Sequence, residues 1–303
     1  MNGPLLNMVM SPSKKIKKMI EQLIEPFNYN YMINAMWVST LVGIVCAFLS
    51  SFLMLKGWSL IGDALSHSVV PGVAIAYAIG IPFAFGAFIS GGIAAGTMLF
   101  LSERSGLKVD AVIGIIFTSF FGLGLFIISI NPMSISVQTI IMGNILAISF
   151  EDIIQVGIIG FCSLLILCIK WKDLMVSFFD ENHSRTIGIN PRLIKALFFT
   201  LLSASIVAAL QTVGAFLVIA LVIIPGAIAY LICDRFQYLI IVSVLVGAST
   251  CFFGVYLSYF LDGATGGIIV TLQFILFLLF FIIAPKYGLT SKWRKSNITL
   301  GNH

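Results

Sequence analysis

The chain has 303 residues, 59% hydrophobic and only 10% charged, with a net charge of +5 and a mean hydropathy of +1.09. A soluble domain carries about 25% charged residues, so this composition excludes a water-soluble globule and reads as a polytopic membrane protein. The basic excess reads as positive loops at one membrane face, with no nucleic acid as partner.

Residues 1–30 stand apart. The stretch SPSKKIKKMIEQLIEPF alternates Lys with apolar residues at helical spacing. That is the pattern of an amphipathic helix lying against lipid at the membrane surface; a solvated basic tail is the other reading. No A-x-A-like site follows a short apolar core, so no cleaved signal peptide is expected. Long apolar runs then follow at 31–55, 61–80, 82–101, 111–130, 150–170, 194–212, 214–231, 238–260 and 266–284. Each approaches the ~20 residues that span a bilayer as a helix. A further piece, 136–148, is too short to cross. The prediction is an all-α transmembrane bundle of about 8–9 spans plus one short re-entrant or surface segment, with a membrane domain over 31–290 and a tail over 291–303.

Alternate breaks are basic: Lys56, then Arg104 and Lys108, then Lys170 to Lys195, then Arg235, then Lys286 to Lys295. The breaks between them, near Pro82, Pro132, Gln211 and Asp262, carry no Lys or Arg. Positive residues favour the cytoplasmic side. The C-terminus and the 171–193 loop are therefore expected inside, and with nine spans the N-terminus outside. Lys14, Lys15, Lys17 and Lys18 oppose that last placement. The cysteines at 46, 162, 168, 233 and 251 form no CxxC pair and read as small apolar residues. Gly92 and Gly96 have GxxxG spacing, which allows close helix approach, most simply within one subunit. VVPGVAIAY (69–77) is echoed by IIPGAIAY (223–230), a short hint of an inverted repeat.

Charged groups inside apolar helices are costly and need a reason. Asp63 and His67 stand at i and i+4 in LIGDALSHSV, on one helical face. A carboxylate oxygen and an imidazole nitrogen there can converge on a divalent ion such as Mn²⁺, Fe²⁺ or Zn²⁺. Pro71 frees backbone carbonyls nearby. Alternatively, Asp63 caps a helix and His67 packs in a core. Two ligands are too few for tight binding; two copies with opposed faces would supply four. Glu151 and Asp152 suit a helix N-terminus, Asp262 a turn, and Gln138, Asn144 and Gln211 interhelical hydrogen bonds. The polar stretch 171–197 is either a plain connection or a short helix on the cytoplasmic face that docks a partner, with His183 exposed. No G-x-x-x-x-G-K-[ST] or HExxH motif occurs, so the chain has neither an ATP cradle nor that zinc-protease site, and it does not read as an enzyme. A proton-coupled secondary carrier with Asp63 and His67 as relay is the rival class.

GDALSHSVVPGVAIAY resembles the signature of the manganese/zinc/iron permeases of bacterial ABC importers, the ABC-3 family. DAVIGIIFTSFFGLG (110–124), IMGNILAIS (141–149) and GAFLVIALVIIPGAIAYL (214–231) resemble further elements of it, so the likeness covers about 31–290. It implies a homodimeric permease in the bacterial cytoplasmic membrane, two cytoplasmic ATPase subunits and an extracytoplasmic metal-binding protein. The implied cargo is Mn²⁺ or Fe²⁺, with Zn²⁺ as the alternative, and no permanently bound cofactor. Carried onto this sequence, Asp63 and His67 become ligands or gate residues on the ion path. Asp180, Glu181, Gly188 and Ile189 become the ATPase-coupling segment, and Pro71, Gly72, Pro225 and Gly226 helix kinks used in gating. Acid that protonates His67 removes its lone pair, so uptake is expected to fall with pH. The basic N-terminal 30 residues are longer than the family pattern.

Overall fold

The structure, a computed structural model, describes residues 12–130 and 145–284. Every regular element among them is helical. In chain order these are α1 (Pro12–Ile24), α2 (Asn30–Lys56), α3 (Ile61–Ser68), α4 (Val70–Ile79), α5 (Phe83–Arg104), α6 (Val109–Ile130), α7 (Phe150–Phe179), α8 (Glu181–Thr186), α9 (Pro191–Val213), α10 (Ala215–Ile232), α11 (Phe236–Leu261) and α12 (Thr265–Ile283). Eight of them, α2, α5, α6, α7 and α9 to α12, are long and apolar enough to cross a membrane.

The expected span at 61–80 is divided. α3 and α4 meet at Val69, and Pro71 lies in the first turn of α4, where its missing N–H costs least. Glycines close both flanks. Gly57 (φ 70°) and Gly80 (φ 80°) adopt the left-handed conformation. Trp58 N–H then donates to the Leu53 carbonyl at 2.9 Å and Ile81 N–H to that of Ala76 at 3.0 Å, the hydrogen-bond pattern that ends a helix sharply. Of the expected short segment at 136–148, only Ile145–Ala147, a 3₁₀ turn, and Ile148 fall within the described residues. The C-terminal tail lies outside them. Residues 171–179 continue α7, so the polar loop narrows to 180–190 with α8 inside it.

α2 and α9 form the centre: 72% of each apolar window is buried, against 11% in α12 and 22% in α6 and α7. α2 packs mainly on α11 and α10, and also on α7. A second group, α3 to α6, joins this centre through α5 against α9 and α3 against α10. Large apolar side chains such as Phe150, Phe161, Leu245 and Phe253 point outward, as a lipid-facing belt requires.

Small residues set the tightest crossings, but Gly92 and Gly96 are not among them. Both face outward with no atom within 4 Å of an added Cβ, so the expectation of packing inside the subunit fails for this pair. The close approaches are Gly43 on Gly247, Gly72 on Gly86 and Gly226 on Ser50. Without a hydrophobic force between helices in lipid, such backbone contact is what holds them. In the last two cases the glycine follows a proline and a serine bonds the backbone nearby, at the α3–α4 junction for Gly72 and inside the continuous helix α10 for Gly226. Ser90 Oγ donates to the Ser68 carbonyl at 2.7 Å. Ser50 Oγ donates to the Ile223 carbonyl at 3.3 Å and accepts from Gly226 N–H at 3.0 Å. The Pro-Gly echo seen in sequence is thus also an echo in packing.

Helix ends gather the polar groups into two layers. One layer holds Glu103, Glu181, Arg192 and Lys195, linked by ion pairs. At the opposite end Gln155 Nε2 donates to Gln211 Oε1 at 2.9 Å, and Tyr256 O–H donates to the Leu23 carbonyl at 2.9 Å. The second contact ties the end of α1 to α11. Ser149 caps α7 by accepting from Asp152 N–H at 3.1 Å, and Asp262 takes a left-handed turn after α11, as their residue types suggest.

Candidate functional site

α3 is an eight-residue helix, and six of its residues are buried: Ile61, Gly62, Ala64, Leu65, Ser66 and Ser68. The two that are not are Asp63 and His67. The helix is wedged between α6 on one side and α10, α9 and α5 on others. An added Cβ on Gly62 would meet Val222 Cγ1 at 2.7 Å. Val222 lies near the middle of α10, so this part of α3 sits deep in the span. Ser66 and Ser68 return their hydroxyls to the carbonyls of Gly62 and Ala64 at 2.8 and 2.6 Å, which keeps their polarity inside the helix.

His67 Nε2 stands 3.5 Å from Asp63 Oδ1. The side chains are 22% and 41% exposed, respectively. Asp63 makes no cap to the N-terminus of α3, so the capping alternative does not describe it. His67 does have a packing environment, of a particular kind. Phe117 and Phe121 of α6 stack on each other at 6.0 Å, and the imidazole meets both edge-on at 5.5 and 5.4 Å. Those rings fix the imidazole plane and leave its Nε2 edge toward the carboxylate. Sequence reasoning missed Phe117 and Phe121; their i, i+4 spacing in FTSFF was the available signal. Among the described residues no group of three or more His, Cys, Asp or Glu converges. Among the described residues, one chain therefore offers two such side-chain donors here.

The predicted coupling residues form a separate, well-made unit. Asp180 caps α8, its Oδ1 accepting from Asn182 and His183 N–H at 2.9 and 3.1 Å. Gly188 (φ 82°) lets the chain reverse, and Ile189 N–H closes on the Ser184 carbonyl at 3.0 Å. Asn190 then caps α9 by accepting from Arg192 N–H at 3.0 Å. A surface cavity of about 430 Å³ lies over Gly188, Ile189 and Asn190 between Arg185 and Arg192. Sequence reasoning named Lys195 only as the edge of a basic break and did not name Glu103; the two meet behind this unit. Pro71 and Gly72 lie at the α3–α4 junction, and Pro225 and Gly226 lie inside the continuous helix α10.

The ABC 3 transport family profile matches residues 28–284. The chain belongs to the ABC 3 transport family. Curated relatives in this family include the Chelated iron transport system membrane protein YfeC of Yersinia pestis, 61% identical over 89% of this chain and 92% of its own length. Another is the Manganese transport system membrane protein MntB of a Synechocystis strain, 47% identical over 90% of each chain. Among solved structures, PsaBC from Streptococcus pneumoniae in complex with Fab aligns with a TM-score of 0.78 and 34% identity, covering 88% of this chain and 97% of its own. As an ABC 3 member with eight long apolar helices among its described residues, the chain is a multi-pass membrane protein of the permease type.

Proposed function

We propose that this chain is the membrane-spanning subunit of an ABC importer for Mn²⁺ or Fe²⁺, and that Asp63 and His67 line the ion path. The observation that carries the reading is the exposure of α3: the two residues able to ligate a cation are the two it leaves open. A carboxylate 41% exposed in mid-span would face hydrocarbon in a lone subunit, a costly arrangement. A second copy packed face to face removes that cost and brings two carboxylates and two imidazoles together. Four oxygen and nitrogen donors suit Mn²⁺ or Fe²⁺, in line with the iron and manganese systems named for the relatives.

The ion-paired layer faces the cytoplasm in this reading, because the basic breaks cluster there. The C-terminus is then inside and α1 outside, at the surface that receives a metal-loaded binding protein. Asp180, Glu181, Gly188 and Ile189 present α8 to a separate ATPase subunit, since the sequence carries no phosphate-binding loop motif of its own. ATP binding moves α8, the bundle rocks, and the ion meets Asp63 and His67 from outside; hydrolysis resets the path inward. Few ligands per subunit serve transit, because an ion must also leave.

The test is metal accumulation in cells expressing the chain with its ATPase and binding protein, at matched membrane levels. Wild type is expected to accumulate manganese or iron, and Asp63→Ala and His67→Ala to lose that accumulation. Normal transport by both variants moves the ion path elsewhere, and accumulation of zinc alone refutes the metal assignment. Uptake by the chain alone, driven by an ion gradient in liposomes, would establish a secondary carrier instead.

A further inference from the structure

The charge layer contains one lysine that is nearly sealed from solvent. The Lys195 side chain is only 7% exposed, yet it carries two carboxylates: Glu181 Oε1 at 2.6 Å and Glu103 Oε1 at 3.1 Å. Three elements meet at this ammonium group. Glu181 opens α8, Lys195 stands in the first turns of α9, and Glu103 ends α5. Arg192 reaches the second oxygen of Glu103 at 4.0 Å from the solvent side. A buried ammonium without partners is strongly unfavourable, so Lys195 cannot release one carboxylate cheaply while the other holds it. α8 and α5 are thereby tied through a common ion; the main other contacts of α8 are with α7 and the base of α9, and Lys56 at the end of α2 lies within electrostatic reach of both Glu181 and Lys195.

α5 leads from this ion to the site. From Glu103 back to Ser90 the helix runs about 20 Å. Ser90 Oγ holds the Ser68 carbonyl at the end of α3, one residue beyond His67. One turn further, Gly86 lies against the Gly72 backbone of α4. So α5 grips the broken helix on both sides of its Val69 junction, while its far end is held by Lys195.

We propose that Lys195 is the coupling lock of this permease. It ties α8 to α5, so that displacement of α8 by an ATPase reaches the α3–α4 junction beside Asp63 and His67. The proposal rests on the transport reading above. Lys195 touches neither Asp63 and His67 in mid-membrane nor the outer surface of α8; it is a positioning residue that acts through Glu181 and Glu103.

The experiment uses the reconstituted complex with ATPase and binding protein, and two readouts. The first is ATP hydrolysed per metal ion taken up. The second is the distance between spin labels at Asn182→Cys on α8 and Ser105→Cys at the end of α5, with and without ATP. Wild type and Lys195→Arg are expected to keep a narrow distance distribution and one common ATP cost. Lys195→Met is expected to broaden the distribution and to raise the ATP used per ion by about tenfold, with basal hydrolysis retained. If Lys195→Met fails to assemble, Glu103→Gln decides on the same readouts, since it frees the end of α5 from Lys195 and leaves α8 untouched. An unchanged distance distribution, or a wild-type ATP cost, in the neutral variant overturns the lock. A wild-type complex that moves no metal refutes the transport reading instead, and the distance measurement still decides the lock.

Discussion

Replacing Gly72 by alanine adds one methyl group where two helix backbones already touch. The new Cβ would run into the Gly86 carbonyl oxygen, and would lie 2.5 Å from Ser90 Cβ and 2.7 Å from the Gly86 carbonyl carbon. Carbon atoms rest at about 3.5 Å, so α4 and α5 must separate by roughly 1 Å. No flexible side-chain end is there to give way. Overpacking costs about 1–3 kcal/mol, and backbone on both sides puts this case near 3. The same displacement pulls on the 2.7 Å bond from Ser90 to the Ser68 carbonyl, taking it past the ~3.0 Å limit of a good O–H···O bond. Gly72→Ala is therefore expected to lower the melting temperature of the detergent-solubilised protein and to cut metal uptake together. Gly92→Ala is the control on the same helix pair, because nothing lies within 4 Å of its Cβ. If Gly72→Ala and Gly92→Ala melt and transport alike, the α4–α5 crossing is not as close as described and the grip of α5 on the broken helix falls with it.

Beside Pro225 in α10, Ser50→Ala removes the hydroxyl shared by Gly226 N–H and the Ile223 carbonyl. An interhelical hydrogen bond in a membrane contributes about 0.6 kcal/mol, so Ser50→Ala should melt slightly below Ser51→Ala, whose hydroxyl only serves the Ala47 carbonyl of its own helix; equal melting would show that Ser50 does not brace α10. Asp180→Ala strips the cap from α8, a loss of about 1 kcal/mol. It is expected to weaken binding of the ATPase subunit in a pull-down with the fold intact, whereas Asp180→Asn, which retains a capping oxygen, should bind nearly as wild type.

Much of this protein is determined by the sequence alone, because the relevant physics is local. A helix in hydrocarbon must be apolar along its length, so the spans and their basic breaks can be read as runs of residues. Asp63 and His67 share a face because four residues make about one turn. The turn at Gly188 and the caps at Asp180 and Asn190 likewise depend on neighbours two or three residues away. The division of 61–80 was less legible: Pro71 signals a break, but nothing local says whether a proline kinks one helix or starts a second. Tertiary structure alone decided which faces meet. GxxxG at Gly92 and Gly96 looks like a packing motif and faces outward, while Gly72, Gly86 and Gly226 carry the close crossings. It also decided that α3 leaves only its two ligating residues open, and that Lys195 finds Glu103 across 92 positions of chain. In lipid every helix face is apolar, so composition does not choose between partners; shape and the need to pair each buried charge do.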